Sequence, residues 1–196
     1  RKLKHQRYGY WIIAIDRTQW KGHNLFMVSL VWGTHAFPIY WEVLKKSGNS
    51  DLRTQKRLLG TVLPLLKNHP VLVLGDREFH SPKLASWLDA RGVSFALRQR
   101  KDFHFQEHLG EDYQVLKKLG FKPGMSKFYE TILGNKGDGL GPFNLAVYWK
   151  RKYRKAGPKE PWYILTNLPN LKLTLDVYCC RWGIEQMFKD WKTGGY

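Results

Sequence analysis

The chain has 196 residues, which suits one domain or a domain with a large insertion, and 43% apolar content with nine tryptophans is ample for a packed core. Lys and Arg total 33 against 16 Asp and Glu, so the formal net charge of +17 favours a polyanionic partner such as nucleic acid. No uninterrupted apolar run is long enough to span a bilayer, which argues against a membrane-spanning protein.

Three apolar segments at the start of the chain predict an antiparallel meander. Residues 10–16 form an apolar run that ends in an acid, and a short buried strand is its simplest interpretation. Residues 24–32 and 35–41 are similar runs, and the tight Gly33-Thr34 linker between them fits a hairpin. We therefore expect three neighbouring strands here.

Helices and strands then alternate. Residues 47–70 begin with a cap signal and continue with helical leucine spacing, although Pro64 predicts a kink or an early end. Residues 71–79 indicate a second buried strand that ends in an acid. Residues 81–92 carry the Ser, Pro and Gly signals of a short helix, and residues 93–98 indicate another strand.

The regular alternation stops after this strand. Residues 99–172 contain β-rich runs between turns rich in Gly, Lys and Pro, which we interpret as a β-rich insertion. It separates the first part of the core, residues 1–98, from a final helix in residues 173–196. The order of elements predicts an α/β fold, a mixed sheet flanked by helices.

Four polar residues in the final segment have helical spacing. Arg181, Glu185 and Lys192 follow Tyr178 by three, seven and fourteen residues. At about 100° per residue they form one narrow stripe beside an apolar face, while Gly183 lies on the opposite side, expected to face solvent. The alternative is a solvated stripe with ion pairing between side chains four residues apart.

Acids end two of the predicted strands. Asp16 and Asp76 lie at carboxyl ends, where open α/β sheets usually build their sites, although either acid alone could be a turn or helix cap. Together with Glu185 they form a carboxylate set without His or Cys, which suits Mg²⁺ or Mn²⁺. Two such ions about 4 Å apart can activate a water or a 3′-hydroxyl and stabilise the leaving oxygen of a phosphodiester.

Three segments resemble the signature motifs of DDE transposases, specifically the insertion-sequence-four family. The segments are IDRTQW, LGDREF and YCCRWGIEQMFKDWKTG. The third contains the family's Tyr-x2-Arg-x3-Glu-x6-Lys pattern without departure. The resemblance extends through essentially the whole chain, because the family also carries a β-rich insertion before its last catalytic helix.

The resemblance implies a role for each motif residue. Asp16, Asp76 and Glu185 would be the catalytic metal ligands of a ribonuclease-H-like core and would hold two Mg²⁺ or Mn²⁺ ions. Phosphates next to the cleaved bond would be held by the motif residues Tyr178, Arg181 and Lys192.

Trp182 has two interpretations. A Trp directly after the motif Arg stacks on a flipped base at the transposon end in relatives, so the resemblance implies DNA binding here. The alternative is a packing residue at the rim of the cleft. Arg77 and Glu78 are expected to be neighbours of Asp76 without a direct catalytic role.

The implied function is metal-dependent DNA strand cleavage and strand transfer at the ends of an insertion sequence, through a hairpin intermediate. The partner would be double-stranded DNA, with a homodimer expected for the full-length protein. The chain has the look of a piece of a longer transposase. Two alternatives stay open, a hydrolytic nuclease of the same fold and a non-catalytic DNA-binding remnant of a decayed element.

Two smaller features complete the sequence. The loop with Arg151, Lys152, Arg154 and Lys155 either tracks a DNA backbone or is a solvated turn. The adjacent cysteines at 179 and 180 would point to different sides of a helix and lack zinc-ligand spacing. They indicate a reducing intracellular setting, and we expect a cytoplasmic protein.

Overall fold

The computed structural model describes residues 8–45, 48–134, 136–151 and 158–194. The strands within these ranges are β1 (Trp11–Trp20), β2 (His23–Trp32), β3 (His35–Leu44), β4 (Val71–Gly75), β5 (Ser94–Arg98), β6 (His104–Gln106), β7 (Gln114–Val115), β8 (Ser126–Gly134), β9 (Leu140–Tyr148) and β10 (Trp162–Thr166). The α-helices are α1 (Leu52–Val62), α2 (Pro82–Asp89), α3 (Leu171–Cys179) and α4 (Trp182–Thr193). Short 3₁₀ helices cover Leu63–Leu66, Arg77–Phe79 and Leu116–Lys118.

All of these strands belong to one mixed sheet with the order β3-β2-β1-β4-β5-β10-β9-β8-β6-β7. The central strands β1, β4 and β5 are parallel, whereas β1 pairs antiparallel with β2, and β5 antiparallel with β10. The expected mixed α/β sheet is therefore confirmed. The division into residues 1–98, 99–172 and 173–196 stays a prediction, although β10 continues directly from β5 within the same sheet.

Hydrophobic residues cover both faces of the sheet. On one face, Ile13 and Ile15 of β1 pack in a core with residues of α1 and α2, and on the other, Ile12 and Ala14 pack with residues of α3 and α4. Successive residues of a strand point to opposite faces of the sheet. The position of a residue along β1 therefore determines whether it faces α1 and α2 or α3 and α4. Asp16 follows the parity of Ala14 and therefore points to the α3 and α4 face.

Proline shortens the first helix as expected. α1 ends at Val62, and the chain continues as the 3₁₀ helix Leu63–Leu66, which contains Pro64 near its start. None of the described helices combines the length and apolar character that a membrane crossing requires.

The prediction of a single final helix is wrong. α3 ends at Cys179 and α4 begins at Trp182, and hydrogen bonds between residues three apart form the turn between them. These bonds run from the amides of Arg181 and Ile184 to the carbonyls of Tyr178 and Arg181. The turn reorients α4, so the helical angles calculated across the break do not hold.

Gly183 demonstrates the reorientation. It was expected to face solvent, but it is buried in the first turn of α4 against the backbone of β3. A Cβ atom added to Gly183 would lie 2.8 Å from the carbonyl oxygen of His35. This backbone approach lets α4 pack closely on β3, which places the residues that follow, Glu185 among them.

Gly183→Ala should therefore lower the free energy of unfolding by about 1–3 kcal/mol, because the new methyl group meets a backbone atom that cannot move aside. Urea denaturation of the variant and the unmodified chain measures the difference. Gly60→Ala is the matched control, since Gly60 lies in α1 with nothing within 4 Å of an added Cβ. Gly60→Ala should raise the free energy of unfolding by about 0.5–1 kcal/mol. If Gly183→Ala raises it as well, the packing argument is contradicted.

Candidate active site

Asp16 and Asp76 lie side by side on neighbouring parallel strands. The register of β1 and β4 pairs Ile15 with Gly75, so the next residue on each strand is one of the two acids. Parallel strands lie about 4.8 Å apart, which brings these carboxylates into close range. The structure thus brings together two acids that are 60 residues apart in the sequence.

Asp16 does not end its strand, contrary to the sequence prediction. β1 continues to Trp20 because residues 17–20 form a hairpin with β2, closed by Lys21 and Gly22, both with positive φ. What ends at Ile15 is only the parallel pairing with β4. Asp16 is therefore held by the hydrogen bonds between β1 and β2 on one side. On the other side it lies next to Asp76, just where the pairing of β1 with β4 stops.

Each of the two acids accepts a hydrogen bond from a nearby backbone amide. The amide of Arg17 donates to Oδ1 of Asp16 at 2.7 Å, and the amide of Glu78 donates to Oδ1 of Asp76 at 2.8 Å. These bonds fix the orientation of both carboxylates before any ligand arrives.

Burial and negative neighbours raise the pKa of Asp16 to about 7. Burial is the largest cause, the charge of Asp76 is the next, and Glu185 adds to it; the amide of Arg17 and the charge of Arg181 act in the opposite direction. The two other predicted acids therefore lie close enough to Asp16 to repel its charge. A cation placed among them would relieve that repulsion.

Arg181 supplies positive charge at this point. Its guanidinium pairs with Glu185 on the next turn, and its Nη1 lies 3.8 Å from Oδ2 of Asp16. Only 12% of the Arg181 side chain is exposed, so both contacts form in a poorly solvated place. The turn between α3 and α4 thus brings a motif Arg and a motif Glu to the sheet acids.

Tyr178 lies near Arg181, whose guanidinium carbon is 5.9 Å from the centre of the Tyr178 ring. It is buried, packs edge-to-face on Trp162 with ring centroids 5.2 Å apart, and burial raises its pKa to about 12. Its hydroxyl makes no hydrogen bond of normal geometry among the described residues, although the Arg181 guanidinium lies close enough to lower its pKa in part. A buried hydroxyl without a partner is costly in a folded protein, and a phosphate oxygen would satisfy it.

A cleft of about 850 Å³ opens beside Tyr178, Arg181 and Glu185, whereas Asp16 and Asp76 are not among the residues that line it. Its wall combines aromatic rings with five cations and three acids: Tyr148, Trp162, Tyr178 and Trp182, then Arg77, Arg98, Lys150, Lys159 and Arg181, then Glu160, Asp176 and Glu185. The Trp182 side chain is 58% exposed at this wall. Its indole ring is therefore accessible to a planar ligand. Cations combined with aromatic faces are the usual surface for single-stranded nucleic acid.

Arg98 is a cleft residue that the sequence interpretation missed. It ends β5, the third central parallel strand, and follows the parity of Ala96, which packs on the α3 and α4 face. Burial lowers its pKa. Strand alternation along VSFALR could have found it, because Arg98 comes two residues after Ala96 and so shares its face.

The structure does not bring every predicted residue to the cleft. Lys192 lies exposed in the last turn of α4, about two turns beyond Glu185, and is not part of the cleft wall. Arg151 is exposed, while the rest of the basic loop at positions 152, 154 and 155 lies outside the described residues. The roles of Lys192 and of this loop stay predictions.

Residues 7–196 match the family model of the transposase DDE domain. The chain belongs to this family. No match was found among curated proteins. Among solved structures, that of piggyBac transposase in a synaptic complex with hairpin DNA, determined by cryo-EM, matches with a TM-score of 0.56 at 15% identity.

That match covers 91% of this chain and 39% of the piggyBac chain, so the DDE domain spans well under half of that relative. At this identity it shows the fold alone. The ribonuclease-H-like sheet flanked by helices, expected from the sequence, is confirmed by it.

The acids of this DDE domain suit a hard divalent cation in chemistry. They offer carboxylate oxygens without sulfur or imidazole. The pKa of Asp16 is raised first by burial and then by repulsion from Asp76, and a cation would offset the repulsion. Across the described ranges, however, no group of three or more His, Cys, Asp or Glu side chains has metal-binding geometry. Arg181 lies between Asp16 and Glu185 instead.

Proposed function

We propose that this domain is the catalytic core of a DNA transposase of the insertion-sequence-four family. It would cleave and join strands at the ends of a mobile DNA element, with two divalent cations, Mg²⁺ or Mn²⁺. The observation that carries the proposal is the meeting of Asp16 and Asp76, on adjacent parallel strands, with the Arg181–Glu185 pair of α4. The Tyr-x2-Arg-x3-Glu-x6-Lys pattern and the basic cleft support it.

Asp16, Asp76 and Glu185 would hold the cations. Bound there, the cations supply an activated water or 3′-hydroxyl and stabilisation of the leaving oxygen. To receive them, the Arg181 side chain turns from Asp16 and Glu185 toward a phosphate of the substrate, where its planar fork makes bidentate contacts. Arg98 and the hydroxyl of Tyr178 take further phosphate oxygens from the floor of the cleft.

Cleavage would begin with hydrolytic nicking that leaves a 3′-hydroxyl. That hydroxyl would attack the opposite strand to form a hairpin, which is reopened before insertion into target DNA. The matching piggyBac synaptic complex contains hairpin DNA, which is compatible with this order of steps. Trp182 would stack on a base displaced at the element's end, an interaction worth about 1–3 kcal/mol.

The proposal extends to partners and surroundings. The substrate is double-stranded DNA, both element ends and target. We propose a homodimer for the full-length protein, a cytoplasmic location, and a role for residues 99–172 as the β-rich insertion that borders the DNA. The +17 charge supports the choice of a polyanionic substrate.

A strand-transfer assay tests this function. The substrates are a supercoiled plasmid and end-labelled duplexes taken from the DNA that flanks the coding sequence, with exposed 3′-hydroxyls. With Mg²⁺ or Mn²⁺ we expect labelled strands to become covalently joined to the plasmid, and EDTA should abolish joining because the acids then lack their cations.

The other outcomes of this assay separate the alternatives. Nicking and linearisation without incorporation of label would indicate a hydrolytic nuclease of the same fold. Retention of the duplexes without any cutting in either metal would indicate a non-catalytic remnant. Either result overturns the proposed transposase activity.

A further inference from the structure

An ion pair joins Arg17, the residue after Asp16, to Glu78, two residues after Asp76. Nε of Arg17 lies 2.8 Å from Oε2 of Glu78, and the two side chains are only 17% and 10% exposed. Arg17 belongs to β1, whereas Glu78 belongs to the 3₁₀ helix after β4. We call this pair the Arg17–Glu78 clamp.

Further hydrogen bonds hold both ends of the clamp. Nη1 of Arg17 donates to Oδ1 of Asn24 on β2 at 2.9 Å. Oε1 of Glu78 accepts from the amide and the hydroxyl of Ser50, at 2.9 and 2.8 Å, just before α1 begins. Gln55 of α1 in turn donates to Ser50. Three neighbouring elements therefore fix the geometry of one ion pair.

The clamp residues also hold the acids through their backbones. The amide of Arg17 donates to Asp16, and the amide of Glu78 donates to Asp76. Each clamp residue thus orients one carboxylate with its amide and ties itself to the other strand with its side chain. If the ion pair is lost, the β1–β4 pairing still holds the two segments together, but the side-chain link that fixes the Glu78 segment against Arg17 is gone, so we expect the two carboxylates to be oriented less tightly.

The direction of the clamp side chains excludes direct contact with substrate. Arg17 follows the parity of Ile13 and Ile15, which pack on the α1 and α2 face, opposite to the cleft. Glu78 reaches the same side through its contacts with Arg17 and Ser50. The two buried charges therefore neutralise each other rather than a ligand in the cleft.

We propose that Arg17 and Glu78 are positioning residues that set the spacing and orientation of Asp16 and Asp76 for a divalent cation. This inference rests on the proposed function, because it assumes that the acids bind metal. Partners that orient metal ligands typically change metal affinity by 10–100-fold when they are removed.

The test is direct binding of Mn²⁺ to the chain without DNA, followed through the electron paramagnetic resonance signal of free Mn²⁺. We expect Glu78→Gln and Arg17→Gln to weaken binding about tenfold or more. Arg17→Lys keeps the charge but not the planar fork, so it should recover part of the affinity. Thermal unfolding of each variant is recorded in parallel.

The matched control is the ion pair between Arg57 of α1 and Glu42 of β3, whose Nη1 and Oε2 are 2.6 Å apart and which is largely exposed. Glu42→Gln removes a comparable pair away from the acids and should leave Mn²⁺ affinity within about twofold of the unmodified chain, since exposed pairs contribute little. An equal loss in Glu42→Gln overturns the clamp, because the effect would then be general.

Two further outcomes are decisive. The clamp is overturned if Glu78→Gln and Arg17→Gln fold and bind Mn²⁺ as tightly as the unmodified chain. If one of these variants fails to fold, the other variant and Arg17→Lys decide the question. Asp16→Asn serves as the reference for the site itself. If it binds Mn²⁺ normally, the metal site of the proposed function fails, whereas normal binding by the clamp variants alone overturns only the clamp.

Discussion

Asp76→Asn should reduce the rate of DNA strand cleavage by at least about a thousandfold, a loss of about 4 kcal/mol of transition-state stabilisation. The amide keeps the size of the side chain but removes the charge that would hold a divalent cation, whose contribution to catalysis is several kcal/mol. Asp16→Asn and Glu185→Gln should have comparable effects. Cleavage of labelled duplex DNA in Mg²⁺ measures the rates.

DNA affinity separates this chemical role from a binding role. Removing a negative charge from a basic cleft should leave DNA binding unchanged or slightly stronger, which fluorescence anisotropy in EDTA can measure. Asp112→Asn is a matched control, because Asp112 is exposed and outside the cleft; its cleavage rate should stay normal. A variant of any one of the three acids that still cuts at full rate removes that acid from the mechanism.

Asp16→Asn should also make the protein more stable at pH 8, by up to about 4 kcal/mol. Burial and neighbouring carboxylates raise the pKa of Asp16 from 3.8 to about 7, a difference of about three units at about 1.4 kcal/mol each. Between these pH values the folded chain binds more protons at Asp16 than the unfolded chain. Stability therefore falls as pH rises from about 4 to 7, and the full penalty persists above 7.

Urea denaturation in EDTA at several pH values from 4 to 8 measures this effect. The gain of Asp16→Asn over the unmodified chain should be largest at pH 8 and nearly absent at pH 4, where Asp16 is neutral in the folded chain. An Asp16→Asn variant that is less stable than the unmodified chain at pH 8 would contradict the assigned cause. The expected gain, set against the expected loss of cleavage, is a trade-off between stability and activity.

Strand alternation explains how much of the site could be predicted. Asp16, Asp76 and Arg98 each come two residues after a buried residue that faces α3 and α4, in Ala14, Leu74 and Ala96. This alternation can be read from the residue order alone. The sequence analysis used it neither to predict which face of the sheet the two Asp side chains point to nor to find Arg98. The turn at Lys21 and Gly22 was harder to predict, because Lys-Gly is not one of the usual hairpin dipeptides and Lys21 adopts a positive φ that is uncommon for a residue other than Gly.

The break between α3 and α4 could not be predicted in the same way. Residues 178–184 contain no proline, and their apolar spacing is compatible with an uninterrupted helix. Tertiary packing decides the matter, because α4 gains contact with β3 only when Gly183 approaches the carbonyl of His35. The Arg17–Glu78 clamp was equally out of reach, since the two residues are 61 positions apart and meet only once β1 and β4 pair.

The pairing of β10 with β5 has a consequence for any DNA that enters the cleft. Tyr148 and Trp162, on β9 and β10, belong to the same hydrogen-bonded sheet as the strands that carry Asp16 and Arg98. The aromatic wall and the sheet acids therefore cannot move apart as separate bodies. We therefore expect the DNA, rather than the protein, to change shape when the two bind. An element end whose bases unstack at low cost would then be bound in preference to a stiffer sequence, without any contact to base edges.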